Sequence, residues 1–479
     1  MIAAILNCLF GIAYLIVIGN NWGSSGLGIF SLCVSLYLIG SLLFNVGIHN
    51  AVLYEVAASG EDKKRASAFA YTALLNSLVF GVLGGAIGFV FSPLIAAAFR
   101  QPLMTGMVKL FCFALPLFLI NKTALGILNA HRRMRLIAGV NVMRGGIILF
   151  YLVSVVIFKA GLITIPYGFI IAESAIAVLL LAACVRTHKL ATPSLQQSKR
   201  LISFGWKTSL AGIIGDINAR LDILIIGIFW DVSIVGMYSV ASAVAKGLWL
   251  IPGAVQRVTN PLIVQLYSSG EKEKLHRTMD VLLRLGTPLF IIIGLAIAVY
   301  IKPLIGLAYA GQSDMLGAAV PLYFLLPGAA IFSSIAMLGS APSTSIGRPE
   351  NALKVVSVVF GVNLLMNFTL VPFFAAAGAA SATTISLLVA LTYFSYLCKE
   401  YLDFAVPLTR LFLLFFVFCL LIVCVTAFES VVSHLILLVT GLIVIIVTLT
   451  TLGMVHKSDW NLIRSVVKSF TKPEKQPVV

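Results

Sequence analysis

The sequence predicts an all-α polytopic membrane protein, with 14 transmembrane helices arranged as two six-helix repeats plus an appended helix pair. Three observations lead to this fold class. The 479 residues are 60% hydrophobic and only 10% charged, whereas a soluble domain has about 25% charged residues. The apolar residues form runs of about 20, the length with which a helix crosses a bilayer. Finally, short words of the first half recur in the second half.

Fourteen apolar runs, here called spans 1 to 14, follow one another between short polar or basic segments. A helix satisfies its own backbone hydrogen bonds and an open sheet edge does not, so each run is predicted to be helical. The spans cover residues 2–19, 25–48, 67–91, 106–128, 138–158, 164–185, 204–229, 233–254, 280–300, 316–340, 354–372, 378–397, 407–427 and 434–455.

The basic residues indicate how the spans are oriented. Segments that follow even-numbered spans hold most of the Lys and Arg residues, and the other segments with their flanks offer only Arg100, Lys109, Lys159 and Lys302. Because cytoplasmic loops carry the excess of basic residues, both termini are predicted to be cytoplasmic. The formal net charge of +16 follows from this topology, and no nucleic-acid partner is inferred from it.

Five short words recur in the same order along the chain. Their equivalent residues are Gly28 and Gly236, Gly60 and Gly270, Pro93 and Pro303, Pro116 and Pro327, and Gly139 and Gly361, at offsets of 208 to 222 residues. The recurrence predicts that spans 1–6 and 7–12 are two repeats of the same orientation, with spans 13 and 14 appended. Two similar halves in a membrane chain are typical of a secondary transporter whose substrate site lies between them.

The predicted organisation has five parts. They are a six-helix lobe at 1–186, a cytoplasmic linker at 187–200, a second six-helix lobe at 201–400, spans 13 and 14 at 401–456, and a basic cytoplasmic tail at 457–479. Thr, Ser, Gln and Lys residues with one Pro mark the linker. Pro116 and Pro327 lie at matched positions in spans 4 and 10, where the missing N–H kinks a helix, and we predict a shared hinge there.

Span 7 is the most polar of the predicted spans, with Asp216, Asn218, Arg220 and Asp222 in an otherwise apolar stretch. Asp216 and Arg220 are four residues apart, so they share a helix face and can pair. Asn218 and Asp222 lie roughly 200° around the helix from that pair. We therefore expect span 7 to be enclosed on two sides or bordered by a water-filled cavity.

Ionisable residues at membrane depth are costly and usually face a protein interior or a cavity. The candidate substrate-cavity cations are Arg220, Lys122, Arg144 and Lys246. They would attract an anionic substrate, since an Arg can grip a phosphate through two hydrogen bonds; the alternative is a structural ion pair with a nearby carboxylate. The acidic candidates are Asp216, Asp222 and Glu173, for H⁺ or Na⁺ coupling or for helix pairing. Glu55, just past span 2, is expected to be a loop residue.

Neither an enzyme nor a bound cofactor is expected from the sequence. A GxxxxGK[ST] phosphate-binding loop and an HExxH metal motif are both missing, and the His and Cys residues lack the spacing of metal ligands. The predicted non-cytoplasmic loops are short, whereas a membrane glycan polymerase or ligase would need a large one for its catalytic residues. That enzyme class is retained only as a minor alternative.

Several motifs carry a resemblance to a known family. They are Gly26–Ser31, Ser203–Trp206, Asn218–Asp222, Val235–Ala241, Ile346–Pro349 and Gly378–Thr384. With these motifs and its predicted plan of spans, the chain resembles the multidrug/oligosaccharidyl-lipid/polysaccharide exporter superfamily. Within it, the chain is similar to the polysaccharide transporter branch of Wzx-type O-antigen flippases.

The resemblance implies a flippase in the bacterial plasma membrane that moves undecaprenyl-pyrophosphate-linked oligosaccharide outward by alternating access. It also implies a cation gradient or membrane potential as the driving force, with Arg220 as the carried-over cation of the central cavity. The expected partners are the lipid-linked oligosaccharide, membrane lipid and other polysaccharide-assembly proteins. The first alternative is a cation-coupled multidrug antiporter. That branch typically depends on an acidic residue in span 1, and residues 1–19 contain none.

Overall fold

The computed structural model describes residues 2–338 and 349–454, and within these ranges every regular element is helical. The α-helices of this part of the chain are α1 Ile2–Asn45, α2 Ile48–Ala58, α3 Lys63–Ala98, α4 Leu103–Ala130, α5 Met134–Ile157, α6 Pro166–Thr187, α7 Leu195–Phe229, α8 Val232–Gly247, α9 Leu250–Ser268, α10 Lys272–Ala308, α11 Ala319–Ala336, α12 Pro349–Leu402, α13 Leu408–Phe428 and α14 His434–Thr451. The predicted tail at 457–479 and most of the motif at 346–349 lie outside the described residues.

Eleven helices among the described residues are long and apolar enough to cross a membrane, so the chain is a multi-pass membrane protein. Two of them, Ile5–Asn45 and Glu350–Leu402, have 41 and 53 residues, about twice what one crossing requires. Each contains a residue with non-helical backbone, Gly23 with φ 66° and Ala375 with φ 50°. The number of 14 spans stays a prediction, because these two long helices each continue through a break and because α7, the predicted span 7, is not among the eleven.

The chain divides into two compact units. Unit 1 comprises Met1–Val244, Leu304–Pro321 and Val356–Ser386, and unit 2 comprises Ala245–Pro303, Leu322–Val355 and Leu387–Val479. The five-part organisation predicted from the sequence, with its boundaries at residues 186 and 201, stays a prediction.

In unit 1, α4 packs against α2, α3 and α6 around buried aliphatic residues that include Ile48, Ile127 and Ile176. Small residues allow close helix approach, which is the main way that helices gain contact in lipid. A Cβ on Gly81 of α3 would lie 2.5 Å from the Cα of Pro116 in α4. The predicted hinge proline therefore sits where two backbones touch; Pro327 lies inside α11.

A second close approach joins α1 and α8 in unit 1. A Cβ on Gly28 would lie 1.7 Å from the carbonyl oxygen of Val232, and a Cβ on Gly236 would lie 2.0 Å from that of Ser24. Val232 follows Ser24 by 208 residues, as Gly236 follows Gly28. The contact is therefore reciprocal between equivalent residues of a recurring word, and neither position has room for a methyl group.

The break at Gly23 in α1 is held by polar contacts to the segment around residues 308–314. The Asn20 amide donates to the carbonyl oxygen of Ala308 at 2.8 Å, and the Ser24 hydroxyl donates to the Asp314 carboxylate. Glycine tolerates the positive φ at this point without steric cost. The first helix thus turns inside unit 1 at a defined, hydrogen-bonded joint.

Unit 2 is built by α9, α10, α13 and α14 with the neighbouring parts of α11 and α12. A Cβ on Gly294 of α10 would lie 2.8 Å from the ring of Phe418 in α13. Lys302 and Glu429 form an ion pair between α10 and the end of α13. Small residues and a charged pair thus fix the appended helices onto α10.

Candidate functional site

Helix α7 carries two polar faces in unit 1, as the spacing of its residues predicts. Asp216 is exposed and Arg220 is half-buried, whereas Asp222 is only 7% exposed. The three positions occur within two turns of one helix, yet they meet different surroundings. The chemistry of the two faces therefore differs.

The first face, here called the charged face, consists of Lys122, Asp216 and Arg220. The Asp216 carboxylate acts at longer range on the Lys122 ammonium of α4 and on the Arg220 guanidinium of its own helix, and the described residues show no direct ion pair among the three. Three of the residues singled out in the sequence are thus brought together. Two cations face one carboxylate, so the face keeps a net positive charge on a partly accessible surface.

Helix α2 positions α7 beside this face. Backbone atoms meet where a Cβ on Gly47 would lie 2.2 Å from the carbonyl oxygen of Gly205, and Gly47 has φ 72°, which suits glycine. The Asn50 amide donates to the Ser209 hydroxyl at 2.9 Å. His49 of α2 also interacts electrostatically with Lys122, a neighbour that no pattern in the sequence singles out.

The second face, here called the Asp222 cluster, is a buried carboxylate surrounded by hydroxyl and amide groups of α8 and α12. The four donors to Asp222 are the Tyr238 hydroxyl at 2.5 Å, the Thr383 hydroxyl at 2.7 Å, the Asn367 amide at 2.8 Å and the Asn363 amide at 3.2 Å. Asn363 also donates to the side-chain oxygen of Asn218 at 3.1 Å. Asp222 thus ties three helices together through neutral partners.

A carboxylate in this setting can hold a small cation. Burying a charge without a counter-charge is costly, and these hydrogen bonds offset only part of that cost. No group of three or more His, Cys, Asp or Glu side chains converges in the described residues. A cation here would therefore be held by one carboxylate with amide and hydroxyl oxygens, the ligand type that hard cations prefer.

Arg144 and Glu173 form a third cluster, between α5 and α6. The Arg144 Nε atom lies 2.9 Å from Glu173 Oε1, and the Asn121 amide donates to Oε2 at 2.7 Å. Glu173 is only 1% exposed, and the guanidinium also lies over the Phe118 ring. This geometry is that of a structural ion pair, the alternative to a substrate contact for Arg144. For Glu173 it is that of helix pairing, the alternative to ion coupling. Lys246, the remaining candidate, is partly exposed near the end of α8 and belongs to unit 2.

Glu55 corrects an expectation drawn from the sequence. It is not a loop residue: it lies in α2, is 0% exposed, and pairs with Arg200 at 2.6 Å and with Arg65 at 3.6 Å. The reason is that α2 restarts as a helix after Gly47 and carries Glu55 into the core of unit 1. Arg200 and Arg65 are therefore structural partners of a buried carboxylate.

Two histidines that lie far apart in the sequence also meet. His131 follows α4 and His188 follows α6, and their Nε2 atoms are 2.9 Å apart. Burial lowers the pKa of both imidazoles below the usual value, and the His131 ring together with Arg133 lowers the pKa of His188 further. The two histidines are 57 residues apart, so no local spacing in the sequence predicts that they meet.

Comparison with known proteins gives a family match and several relatives. A family described as polysaccharide biosynthesis protein matches residues 24–314. The "Probable flippase AglR" of Haloferax volcanii is 26% identical over 184 residues, which is 38% of each chain. The "Probable low-salt glycan biosynthesis flippase Agl15" of the same organism is 24% identical over 197 residues, 41% of each chain. The chain thus spans about two fifths of the length of these relatives.

Solved structures share the fold. The lipid II flippase MurJ in an inward closed conformation superimposes with a TM-score of 0.75 at 14% identity, covering 94% of this chain and 98% of MurJ. An inward-facing multidrug resistance MATE family transporter superimposes with a TM-score of 0.70 at 15% identity, covering 83% and 95%. At these identities the likeness shows the all-helical MATE/MurJ-like fold and nothing finer.

Proposed function

The chain belongs to the polysaccharide biosynthesis protein family, and from that membership we propose that it is a lipid-linked oligosaccharide flippase. The motifs in the sequence predict a resemblance to the multidrug/oligosaccharidyl-lipid/polysaccharide exporter superfamily, and this resemblance is confirmed. The proposed substrate is an undecaprenyl-pyrophosphate-linked oligosaccharide, carried outward across the bacterial plasma membrane for a cell-surface polysaccharide. Other polysaccharide-assembly proteins would supply it and take it up.

The single structural observation that carries the anionic, pyrophosphate-bearing substrate of this proposal is the charged face. Lys122 and Arg220 present two partly exposed cations near one carboxylate. A pyrophosphate is the charged part of such a substrate, and Arg with Lys provides a planar fork and a point charge for it. Asp216 would partly offset the charge of both cations until the pyrophosphate binds.

Coupling to H⁺ or Na⁺ is proposed for the Asp222 cluster. Binding of either ion neutralises the buried carboxylate and changes its hydrogen bonds to α8 and α12, which removes the main electrostatic cost of enclosing it. Arg220 lies two residues from Asp222 on α7. A change in the hydrogen bonds between α7 and the helices α8 and α12 would therefore also shift Arg220, the cation proposed to bind the substrate.

Alternating access is supported by the joint between α1 and α8. The reciprocal contact of Gly28 and Gly236 is the geometry expected of two equivalent repeats, and the Ser24–Asp314 hydrogen bond lies beside it. We propose that this joint separates and re-forms during the cycle, with Pro116 and Pro327 as hinges. Under this proposal the substrate enters on one side while the joint is closed.

The test is transport in proteoliposomes with a fluorescent lipid-linked oligosaccharide. Arg220→Ala is expected to lower the initial rate at least tenfold, because it removes the cation that grips pyrophosphate. Arg135→Ala, which removes an exposed arginine that begins α5, is the matched control and is expected to transport at the wild-type rate.

Two results would contradict the proposal. One is transport by Arg220→Ala at the wild-type rate while the variant is inserted normally. The other is a wild-type protein that leaves the lipid-linked oligosaccharide in place but exports small organic cations, which would favour the antiporter alternative.

A further inference from the structure

The seam between α3 and α4 carries a groove whose polarity changes along its length. Its apolar part has a volume of about 450 Å³ and is lined by residues that include Val82, Phe89, Phe113 and Pro116. Of these, Phe113 is 59% exposed and Val82 is 53% exposed. The groove therefore opens at the outer surface of unit 1, the side proposed to face lipid. It lies where the glycines of α3 let α3 approach Pro116 of α4 closely.

The other end of the seam adds a cation and polar side chains to an apolar lining. A second cavity of about 370 Å³ is lined there by Arg100, Gln101 and Thr105 together with prolines and alanines of the two helices. Lys109 lies on α4 between Thr105 of the second cavity and Cys112 of the first, with its ammonium 5.0 Å from the centre of the Phe89 ring. Arg100 is held at the end of α3 by donating to the carbonyl oxygen of Ile228 at 2.7 Å.

The charge of this end is unbalanced in the sequence itself. From Lys63 to Ala172 the chain contains no Asp and no Glu, so neither α3 nor α4 offers a carboxylate to Lys109 or Arg100. A cation at the end of an apolar, lipid-facing groove attracts an anionic head group from the surrounding bilayer. Electrostatic complementarity thus identifies the charge of the occupant.

The length of the seam indicates the shape of the molecule that occupies it. From Thr105 to Pro116 the helix rises by roughly 16 Å at 1.5 Å per residue, which is about half of the ~30 Å hydrocarbon core. One leaflet's acyl chain matches this length. The Lys109 stem can lie along the apolar groove while its ammonium reaches the head-group level, as long basic side chains do near helix ends.

We propose that the α3–α4 seam is a binding site for one anionic glycerophospholipid of the leaflet at the Arg100 end. Its phosphate would lie against Lys109 and Arg100, and one acyl chain would lie in the groove between Val82 and Pro116. The site is separate from the charged face of α7, and it does not depend on the transported substrate. Its occupant would stabilise the thin seam at Pro116, where α3 and α4 backbones touch.

The test is native mass spectrometry of the full chain released from detergent, titrated with phosphatidylglycerol and with phosphatidylcholine of the same chains. Wild type is expected to retain one phosphatidylglycerol more tightly than phosphatidylcholine. Lys109→Gln is expected to weaken phosphatidylglycerol binding about fivefold, which corresponds to roughly 1 kcal/mol per basic residue at an anionic surface. Ala86→Phe, which fills the groove from α3, is expected to weaken binding of both lipids.

Lys159→Gln is the matched control, because Lys159 is an exposed lysine beyond the end of α5, and its affinities are expected to equal those of wild type. Equal retention of both lipids by wild type would overturn the proposal. So would phosphatidylglycerol binding by Lys109→Gln and Ala86→Phe at wild-type strength in monodisperse samples. Stronger retention of a polyprenyl phosphate than of phosphatidylglycerol would overturn the assigned occupant.

Discussion

The two faces of α7 differ in how each treats a carboxylate. Asp216 is exposed and shares two cations, whereas Asp222 is buried and accepts four hydrogen bonds from neutral groups. The first arrangement has spare positive charge and can exchange partners with an anion from outside. The second has spare negative charge and no charged partner among its four donors. One helix therefore carries two polar faces of opposite sign, and we propose the first for substrate and the second for coupling.

The largest expected difference between the faces is in stability. Asp222→Ala removes the shared acceptor of four buried donors, and we expect it to lower the free energy of unfolding by about 3 kcal/mol. Asp216→Ala, on the exposed side of the same helix, is the matched control and should change it by less than about 0.5 kcal/mol. Thermal unfolding in detergent measures both. Equal losses would remove the distinction between the faces.

The next largest effect concerns the coupling ion. If Na⁺ binds at the Asp222 cluster, Na⁺ at ten times its dissociation constant should stabilise wild type by about 1.4 kcal/mol. Asp222→Asn should abolish that gain, and Asp216→Asn should keep it. If a proton is the coupling ion, the same pair of variants should separate in the pH dependence of transport instead. If Asp222→Asn is stabilised by Na⁺ as wild type is, and also shows the wild-type pH dependence of transport, the coupling proposal is wrong.

Substrate affinity should respond in opposite directions on the charged face. Lys122→Gln removes a cation and is expected to weaken binding of a pyrophosphate-bearing lipid about fivefold. Asp216→Asn removes the carboxylate that competes with the ligand, and we expect it to strengthen binding about threefold, with both effects shrinking at high salt. Equilibrium binding to the purified protein decides the signs. Two changes of the same sign would mean that the face is a structural ion pair.

The smallest expected effect concerns the pair of His131 and His188, which lies outside both faces of α7. Because burial holds the pKa of His131 and His188 below the usual value, the unfolded chain binds protons first as the pH falls. Stability contributed by the neutral pair is therefore present above about pH 6.5 and lost below it. We expect a loss of less than about 1 kcal/mol between pH 7.5 and 5.5, since His131 is exposed.

The measurement is the unfolding midpoint against pH for wild type and for His188→Gln. The variant should show a flatter profile over that interval, and His276→Gln, in unit 2, should follow the wild-type curve. A profile of His188→Gln as steep as that of wild type would place the pH response elsewhere.

The sequence could predict the two faces of α7, because an i,i+4 spacing and a fixed helical rotation determine them. It could not predict the partners of Asp222, since Asn363 and Thr383 lie 141 and 161 residues away. Glu55 was misplaced because a break at Gly47 followed by a new helix leaves no trace in hydropathy. Local geometry is thus readable, whereas long-range polar pairing is decided by packing.

The joint at Gly28 and Gly236 has a consequence for the origin of the chain. In a symmetric dimer, residue i of one copy touches residue j of the other while j touches i. The same reciprocity is seen here inside one polypeptide, between Ser24–Gly28 and the equivalent Val232–Gly236. A half-length ancestor bearing that one word would already have possessed a surface complementary to itself. If the two predicted repeats arose by gene fusion, the fusion preserved an existing homodimer interface, and each glycine is retained because the carbonyl oxygen four residues before its twin leaves it no space.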